Sequence, residues 1–277
     1  MSEESVSTTG LASIRKHAAV YWHYFKQYWK TRLVYKTDFL LNSLSQMLNL
    51  ATSLAFLTLI FTQVNSINGW TFNEMLFLAG IGGLSMNIHH IFMLHITNLG
   101  EDYVVTGDLD RFKVRPLNVL FQVYASNVRD ENVPKLVTNA ALIIYASGQM
   151  GLNLLQPEFL IYGIPVIVSS IFTFGSIYLA ISTLGFWMAR SRPLVWIVFR
   201  LSDFRRYPFS IYSRPIQIIL VTLVPLAFAS FFPATFFLGK EGWETYQYLS
   251  LIAGPLTYGV AYGFWKYGLS KYTSTGS

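Results

Sequence analysis

One dense group of side chains that could do chemistry lies at residues 98–116, NLGEDYVVTGDLDRFKVRP. Apolar stretches flank this segment on both sides. It holds four acids, three bases, two glycines and a closing proline: Glu101, Asp102, Asp108, Asp110, Arg111, Lys113, Arg115, Gly100, Gly107 and Pro116. Because unpaired charge and unpaired backbone are costly in hydrocarbon, we expect the segment to lie in water between two membrane helices.

The motifs of common catalytic mechanisms are missing from the sequence. It contains no Gly-x-x-x-x-Gly-Lys-Ser/Thr loop, so we expect no ATP bound through a P-loop. It also contains no HExxH motif and no GxSxG elbow. Cysteine is absent, which excludes disulfides and thiolate metal sites. We therefore expect a non-catalytic chain that carries no cofactor of its own.

Three histidines, His89, His90 and His95, are the other residues that suggest chemistry. His89 and His90 point to different faces of a helix, and no carboxylate stands at ligand spacing in the same stretch. We favour polar residues at an interface or facing a pore over a metal site. The sequence thus predicts no metal.

A polar stripe follows the first apolar stretch. It consists of Asn42, Gln46, Asn49 and Ser53, at steps of four, three and four, which place them on one helical face. On a helix in lipid such groups must face protein or water. Two interpretations stay open: a path for a substrate, or hydrogen bonding to a neighbouring helix.

The elements that must position these groups are membrane helices. Of 277 residues, 53% are hydrophobic and 12% charged, about half the charged share of a soluble domain. Since a span needs roughly 20 apolar residues, six stretches are candidates. They are residues 38–64, 72–97, 134–147, 159–189, 215–238 and 246–267. We expect an all-α integral membrane protein with six transmembrane helices.

Basic residues predict the orientation of these spans. With the N-terminus in the cytoplasm, 19 of the 20 Lys and Arg residues fall on the cytoplasmic side, and only Lys240 falls outside. We therefore expect both termini in the cytoplasm. The net charge of +6 follows from this topology and needs no nucleic acid.

The chain is predicted to have three parts. Residues 1–14 form a polar, disordered tail. Residues 15–37 form an amphipathic helix at the membrane interface, either a lever or a plain topology anchor. One face of that helix carries Ala18, Trp22, Phe25, Trp29 and Leu33. Residues 38–277 form the six-helix membrane domain.

Small residues indicate where helices pack closely. Ser169, Thr173, Ser176, Ala180 and Thr183 make a stripe that favours close packing over a substrate path. Gly259 and Gly263 form a single GxxxG, which is a weak signal. The glycines at 80, 82 and 83 could mark a flexible point or a packing surface.

Two features missing from the sequence indicate how the protein would be energised. Carboxylates, which proton-coupled carriers typically need inside the membrane, are nearly absent from the helix centres. Together with the missing P-loop, this favours a membrane body that takes its energy from a partner.

Three stretches resemble motifs of one family, the membrane subunits of bacterial ABC exporters of the type-2 permease class, in their branch of stand-alone six-helix permeases. Residues 107–111 with Arg115-Pro116 are similar to its G-x-L-D…R-P cytosolic loop. Residues 207–212, YPFSIY, resemble a Tyr-Pro-x-x-Ile-Tyr motif. Pro225, residues 232–234 and Leu238-Gly239 resemble a Pro…Tyr-Pro-Ala…Leu-Gly ending, with Phe232 in place of Tyr.

This resemblance implies a multi-pass protein of the bacterial plasma membrane. Two permease subunits, identical or sister chains, would form the transmembrane unit, and each would dock an ATPase subunit that carries ATP and Mg. The permease would move a hydrophobic or amphipathic substrate out of the cytosol or the inner leaflet. The alternative is a channel or ion-coupled carrier that works without an ATPase.

The resemblance also assigns residues 98–118 as a cytosolic coupling loop. Its expected ATPase-coupling residues are Asp108, Leu109, Asp110, Arg111, Phe112, Arg115 and Pro116. We expect Asp108 to cap a short helix that begins near Leu109. Leu109 and Phe112 would then share a face and fill a groove on the ATPase, inside a charged rim. The alternative is a solvated, charge-rich loop.

Two stretches are compatible with more than one structure. Residues 191–214 could form an interfacial helix or extend helix four, with Tyr207-Pro208 ending either one. Residues 231–238 could form a re-entrant segment before the last helix, a feature that type-2 permeases often have.

Overall fold

The computed structural model describes residues 36–188 and 190–273. The predicted tail at 1–14 and all but the last two residues of the predicted interfacial helix at 15–37 lie outside this range. The regular elements of the described chain are helices, some joined by short 3-10 or π turns. The α-helices are α1 (Lys36–Phe61), α2 (Phe72–Met93), α3 (Asp110–Lys113), α4 (Val119–Ala125), α5 (Val133–Met150), α6 (Pro157–Thr183), α7 (Arg192–Leu201), α8 (Arg214–Thr222), α9 (Leu226–Ala229), α10 (Phe231–Phe237) and α11 (Glu244–Lys271).

Three helical stretches in the described residues are long and apolar enough to cross a membrane: Leu44–Phe61, Phe72–Val104 and Pro157–Phe186. A fourth is added if α8 and the following α9–α10 form one span, which bends by 69° at its break. The helices α5 and α11 have the length but lack the apolar composition. The all-helical architecture is confirmed, while six spans and cytoplasmic termini stay predictions.

Local sequence signals set several helix ends. Thr71 and Glu74 form a reciprocal capping box at the start of α2, in which each side chain bonds the other residue's backbone N–H. Proline stands in the first turn of both α5 and α6, where its missing N–H leaves no helical bond unmade. Gly151 ends α5 with a φ of 68°, a left-handed conformation that costs glycine little.

The glycines of α2 form a packing surface and not a flexible point. Gly83 lies against the side chain of Asn139 on α5, and Gly80 lies against Ile143 one turn further along. Gly82 faces the opposite way, toward Ser230 and the aliphatic part of Arg205. These contacts hold α2 at the centre of the molecule.

Gly83→Ala is expected to lower the free energy of unfolding by about 1–3 kcal/mol, because the added Cβ collides with the amide group of Asn139. The matched control is Gly148→Ala on α5, where a Cβ meets nothing within 4 Å. Thermal unfolding of the purified protein in detergent would measure both variants. Equal midpoints for the two alanines would contradict the packing described for α2.

The small-residue stripe of α6 packs against α11, as predicted. The hydroxyl of Ser169 donates to the carbonyl of Ser250 and accepts from the N–H of Gly254. Near the other end of the contact, Gly268 lies against Thr183 and Phe186. In contrast, a Cβ on Gly259 or Gly263 would meet nothing within 4 Å in the described chain, so the GxxxG motif is not used within this subunit.

The region after α6 forms a separate helix. α6 ends at Thr183 and one short turn follows at Leu184–Phe186, so α7 is not an extension of the fourth predicted span. α7 buries Val195 and Val198 and exposes Trp196 and Ile197. The chain leaves this region at Tyr207, whose extended backbone before Pro208 matches the prediction. An interfacial position for α7 stays a prediction.

The fifth predicted span is broken. α8 ends at Thr222, Pro225 precedes α9, and the chain turns again at Ser230 before α10. All described residues from Leu226 to Phe237 except Phe236 are buried, whereas most of α8 is exposed. Irregular backbone at membrane depth is tolerated when protein covers it, so this geometry fits either a broken span or a re-entrant segment.

Candidate functional site

The polar segment at 98–116 begins as a continuation of α2 and not as a loop. A 3-10 turn at Leu94–Asn98 leads into a π turn at Leu99–Val104, and together with α2 they form one apolar stretch. Leu99 and Tyr103 are buried, while the carboxylates of Glu101 and Asp102 reach the surface. The expected water-exposed loop starting at residue 98 is therefore corrected: the chain leaves the helix at Val105.

The two carboxylates of this segment hold the start of α7. Glu101 accepts a bond of 2.8 Å from the backbone N–H of Arg192 and one of 3.3 Å from the Ser191 hydroxyl. Asp102 forms an ion pair of 2.8 Å with the Arg192 guanidinium. Negative charge at a helix N-terminus is favourable because the first backbone N–H groups lack partners. Sequence reasoning missed this contact because the partners lie about 90 residues apart.

Asp108 does not cap the short helix of the loop. The helix α3 begins at Asp110, and the residue before it, Leu109, has no side chain able to cap. Asp108 instead forms an ion pair of 3.1 Å with Arg111, three residues on. The predicted short helix exists, but its predicted cap is wrong because Leu109, and not Asp108, directly precedes the helix.

The two apolar residues of the loop face the interior of the subunit. Leu109 is 0% exposed and Phe112 is 5% exposed. Phe112 packs against Tyr103, and its carbonyl accepts a hydrogen bond from Gln122 on α4. They share a face as predicted, but the subunit's own core covers that face. In this conformation they cannot fill a groove on a partner, and that part of the prediction is corrected.

Other residues form the outer surface of the loop. Val114, 84% exposed, is more exposed than Val105, the other exposed valine of the loop, at 49%. Four exposed neighbours surround it in the sequence: Arg111, Lys113, Arg115 and Pro116. The ring of Phe112 lies 5.9 Å from the Arg115 guanidinium, and the Tyr272 ring lies 5.1 Å from the Lys113 ammonium. The C-terminal part of the loop thus presents Val114 among cations.

A cavity of about 370 Å³ lies between α1, α2, α5 and residues 200–207. Three of the four residues of the predicted polar stripe line it: Gln46, Asn49 and Ser53. The side chain of Asn42 lies outside the described part. Asn49 and Ser53 bond carbonyls of their own helix, and Ser53 also accepts from Arg206 at 3.1 Å. The stripe therefore faces a cavity, and one of its members also bonds across to another segment.

The wall opposite α1 is basic. It contains four bases and one acid: Lys135, Arg200, Arg205, Arg206 and Asp203. Arg205, with 5% of its side chain exposed, donates to the carbonyl of Ser202 at 2.8 Å. Burial lowers the pKa of Arg205 to about 10, and the neighbouring Arg206 adds to this shift. The guanidinium therefore stays charged at neutral pH.

The loop and the cavity are joined by one helix. Glu101 and Asp102 bind the first residue of α7, and the last turn of α7 carries Arg200 into the cavity wall. The turn that follows, Ser202–Arg206, supplies Arg205 and Arg206. A displacement of the loop can thus be carried to the cavity through a rigid element about ten residues long.

Residues 47–276 match the model of a family described as ABC-2 family transporter protein. The chain belongs to this family. Searches of curated proteins and of solved structures gave no match. Membership makes the chain a membrane transport component, and the family implies an ATPase as its partner.

The three histidines at positions 89, 90 and 95 of this ABC-2 family member are packing residues. His89 and His90 are buried, and both rings contact Tyr178, with His89 stacked at 5.1 Å between ring centroids. His95 bonds the Tyr103 hydroxyl at 2.7 Å, which in turn bonds Ser126 at the end of α4. Among the residues that the structure describes, no group of three or more His, Cys, Asp or Glu could hold a metal ion.

Lys240, the one base that the predicted topology places outside, has its own partners in this ABC-2 chain. It forms an ion pair of 2.9 Å with Glu74 and donates to the Gly69 carbonyl at 3.2 Å. Its ammonium also lies 4.6 Å from the centroid of the Trp70 ring. These contacts join the link between α10 and α11 to the start of α2.

Proposed function

We propose that this chain is the permease subunit of an ATP-driven exporter in the bacterial plasma membrane. In this proposal it pairs with a second permease, identical or a sister chain, and each permease binds an ATPase subunit that holds ATP and Mg. It spans the membrane six times with both termini in the cytoplasm. The substrate is a hydrophobic or amphipathic compound that leaves the cytosol or the inner leaflet.

One observation carries this proposal beyond family membership. The polar loop is bonded through Glu101 and Asp102 to α7, and α7 leads to the wall of a polar cavity. A surface loop that is mechanically joined to a cavity fits a subunit that receives motion from a partner. A channel or carrier that works without an ATPase has no evident need for this link.

The ATPase contact is proposed on the exposed surface of the loop. Val114 supplies the apolar contact, and Arg111, Lys113 and Arg115 supply charges that would pair with carboxylates on the ATPase. Pro116 limits the flexibility of the chain after them. Leu109 and Phe112 lie in the core beneath this surface and do not contact the ATPase.

Val114→Asp combined with Arg111→Glu is expected to abolish co-purification of the ATPase, because it reverses one charge and removes the apolar contact. The control is Leu155→Asp, another highly exposed apolar residue, in a link that the topology places outside the cell. Co-expression of the tagged permease with its ATPase, followed by affinity purification, measures the ratio of the two chains. Full retention of the ATPase by the double variant would refute this contact surface.

A further inference from the structure

The basic cavity wall carries more positive charge than its carboxylate neutralises. Asp203 lies 3.1 Å from the Arg206 guanidinium and 3.8 Å from that of Arg205, so one acid serves two bases. The nearby Glu131 pairs with Arg129 at 3.5 Å. Lys135 has no ion pair within 4.0 Å in the described part of the chain. The cavity is therefore cationic after its internal pairs are counted.

A role in membrane orientation does not account for this arrangement. Basic residues that set orientation can stay in water or reach lipid head groups, and the exposed Arg200 is free to do so. Arg205 is enclosed, and its Nε has no hydrogen-bond partner in the described structure. A buried cation without full pairing costs several kcal/mol unless an anion joins it. The wall thus has the properties of an anion site.

The rest of the cavity defines the kind of anion. Asn87 on α2 is a buried amide in the wall, and its Oδ1 has no donor in the described structure. On the α1 side, apolar residues alternate with the polar stripe: Met47, Leu50, Leu54 and Leu57. A volume of about 370 Å³ suits a polar head group with the beginning of an apolar chain.

We propose that this cavity binds the anionic head group, phosphate or carboxylate, of an amphiphile. The guanidinium groups of Arg205 and Arg206 form charge-assisted hydrogen bonds with its oxygens, for which the planar fork of arginine is well suited. Lys135 supplies a third charge, and the apolar part lies along α1. That this amphiphile is the exported substrate rests on the proposed function, whereas its binding does not.

Binding of dodecyl phosphate to the purified full-length permease in maltoside micelles tests the proposal, without ATPase or ATP. Intrinsic tryptophan fluorescence or thermophoresis gives the Kd. We expect Lys135→Gln and Arg206→Gln each to weaken binding about tenfold, the loss typical of one charge-assisted bond. Arg205→Lys should weaken it as well, because it keeps the charge and removes the fork. The matched control is Lys266→Gln, a base on α11 that does not line the cavity.

Ligand controls separate charge from apolar affinity. Zwitterionic dodecylphosphocholine should bind at least tenfold more weakly than dodecyl phosphate. Equal binding of these two ligands, or unchanged binding in Lys135→Gln and Arg206→Gln with normal unfolding temperatures, would overturn the proposal. No ATPase is present in this assay, so neither result bears on the proposed ATPase contact. That contact is tested separately by co-purification.

Two further arms identify the source of the anion. Competition by millimolar inorganic phosphate or by a soluble phosphate ester supports a head group that enters from water. Competition by phosphatidylglycerol in nanodiscs, against phosphatidylcholine nanodiscs as the blank, supports a membrane lipid. Failure of all these anions to compete with dodecyl phosphate would contradict a head-group site.

Discussion

Leu109→Ala is expected to lower the free energy of unfolding by about 2–5 kcal/mol, the usual cost of removing a leucine side chain from a packed core. Leu109 is 0% exposed and belongs to the same buried cluster as Leu99 and Phe112. Leu109→Glu should cost more, since it adds a buried charge without a partner. Thermal unfolding in detergent, followed by size-exclusion fluorescence and without any ATPase, measures the effect.

The control lies five residues further along the same loop. Val114→Glu changes an 84% exposed side chain, and surface changes of this kind usually stay within about 0.5 kcal/mol. The two variants also separate two reasons why the permease could lose its ATPase. The Leu109 variant would lose the ATPase because the permease unfolds. The Val114 variant would lose it while the permease stays folded. A Leu109→Ala protein as stable as the wild type would contradict the buried position.

Glu101→Gln is expected to weaken the contact between the polar loop and α7, in which Glu101 binds Ser191 and Arg192. The glutamine keeps the shape of the side chain but loses the charge that accepts from the Arg192 N–H and the Ser191 hydroxyl. Hydrogen bonds to charged groups contribute about 1.5–3 kcal/mol, enough to shift the population of the joined state by one to two orders of magnitude. On the proposed function, ATP hydrolysis by the complex should then persist while transport falls about tenfold or more.

A distance measurement tests the contact between Glu101 and α7 without a known substrate. The sequence has no cysteine, so spin labels can be placed with V114C and I197C alone, at two exposed positions. We expect one narrow distance distribution in the parent and a broad one in Glu101→Gln. The exposed Glu241→Gln serves as the control for the loss of a carboxylate. A narrow distribution in both variants would show that Glu101 does not hold this contact.

The apolar spans could be predicted because a long apolar run leaves few alternatives to a membrane helix. The runs that became α1 and α2 were predicted to within four residues of their ends, and the run that became α6 was predicted six residues too long at its C-terminal end. Pro225 made a break in the fifth span possible, because proline lacks the N–H that a continuing helix needs. Proline alone does not decide the matter, since Pro165 and Pro255 lie inside α6 and α11. The face of the polar stripe on α1 followed from helical periodicity, and three of its residues do line the cavity.

The remaining features depend on partners that are distant in the sequence. The helix after α2 continues through Glu101 and Asp102 because Ser191 and Arg192, far along the chain, satisfy those carboxylates. Spacing correctly placed Leu109 and Phe112 on one face, but spacing cannot tell whether the subunit or a partner covers that face. The sequence also could not show that Lys135 and the arginines at 200–206 line one cavity opposite α1, because these residues come together only in the folded chain.

The contacts of Lys240 hold the N-terminal end of α2. Its bonds to Glu74 and to the Gly69 carbonyl, with the Trp70 ring beside it, join that end to the link before α11. From Glu74 to Val104 the helical stretch is about 45 Å long at 1.5 Å per residue. With the N-terminal end as the pivot, a tilt of about 5° would displace the other end of this stretch by about 4 Å. A small rotation about that pivot would therefore be enough to change the shape of the cavity beside α1.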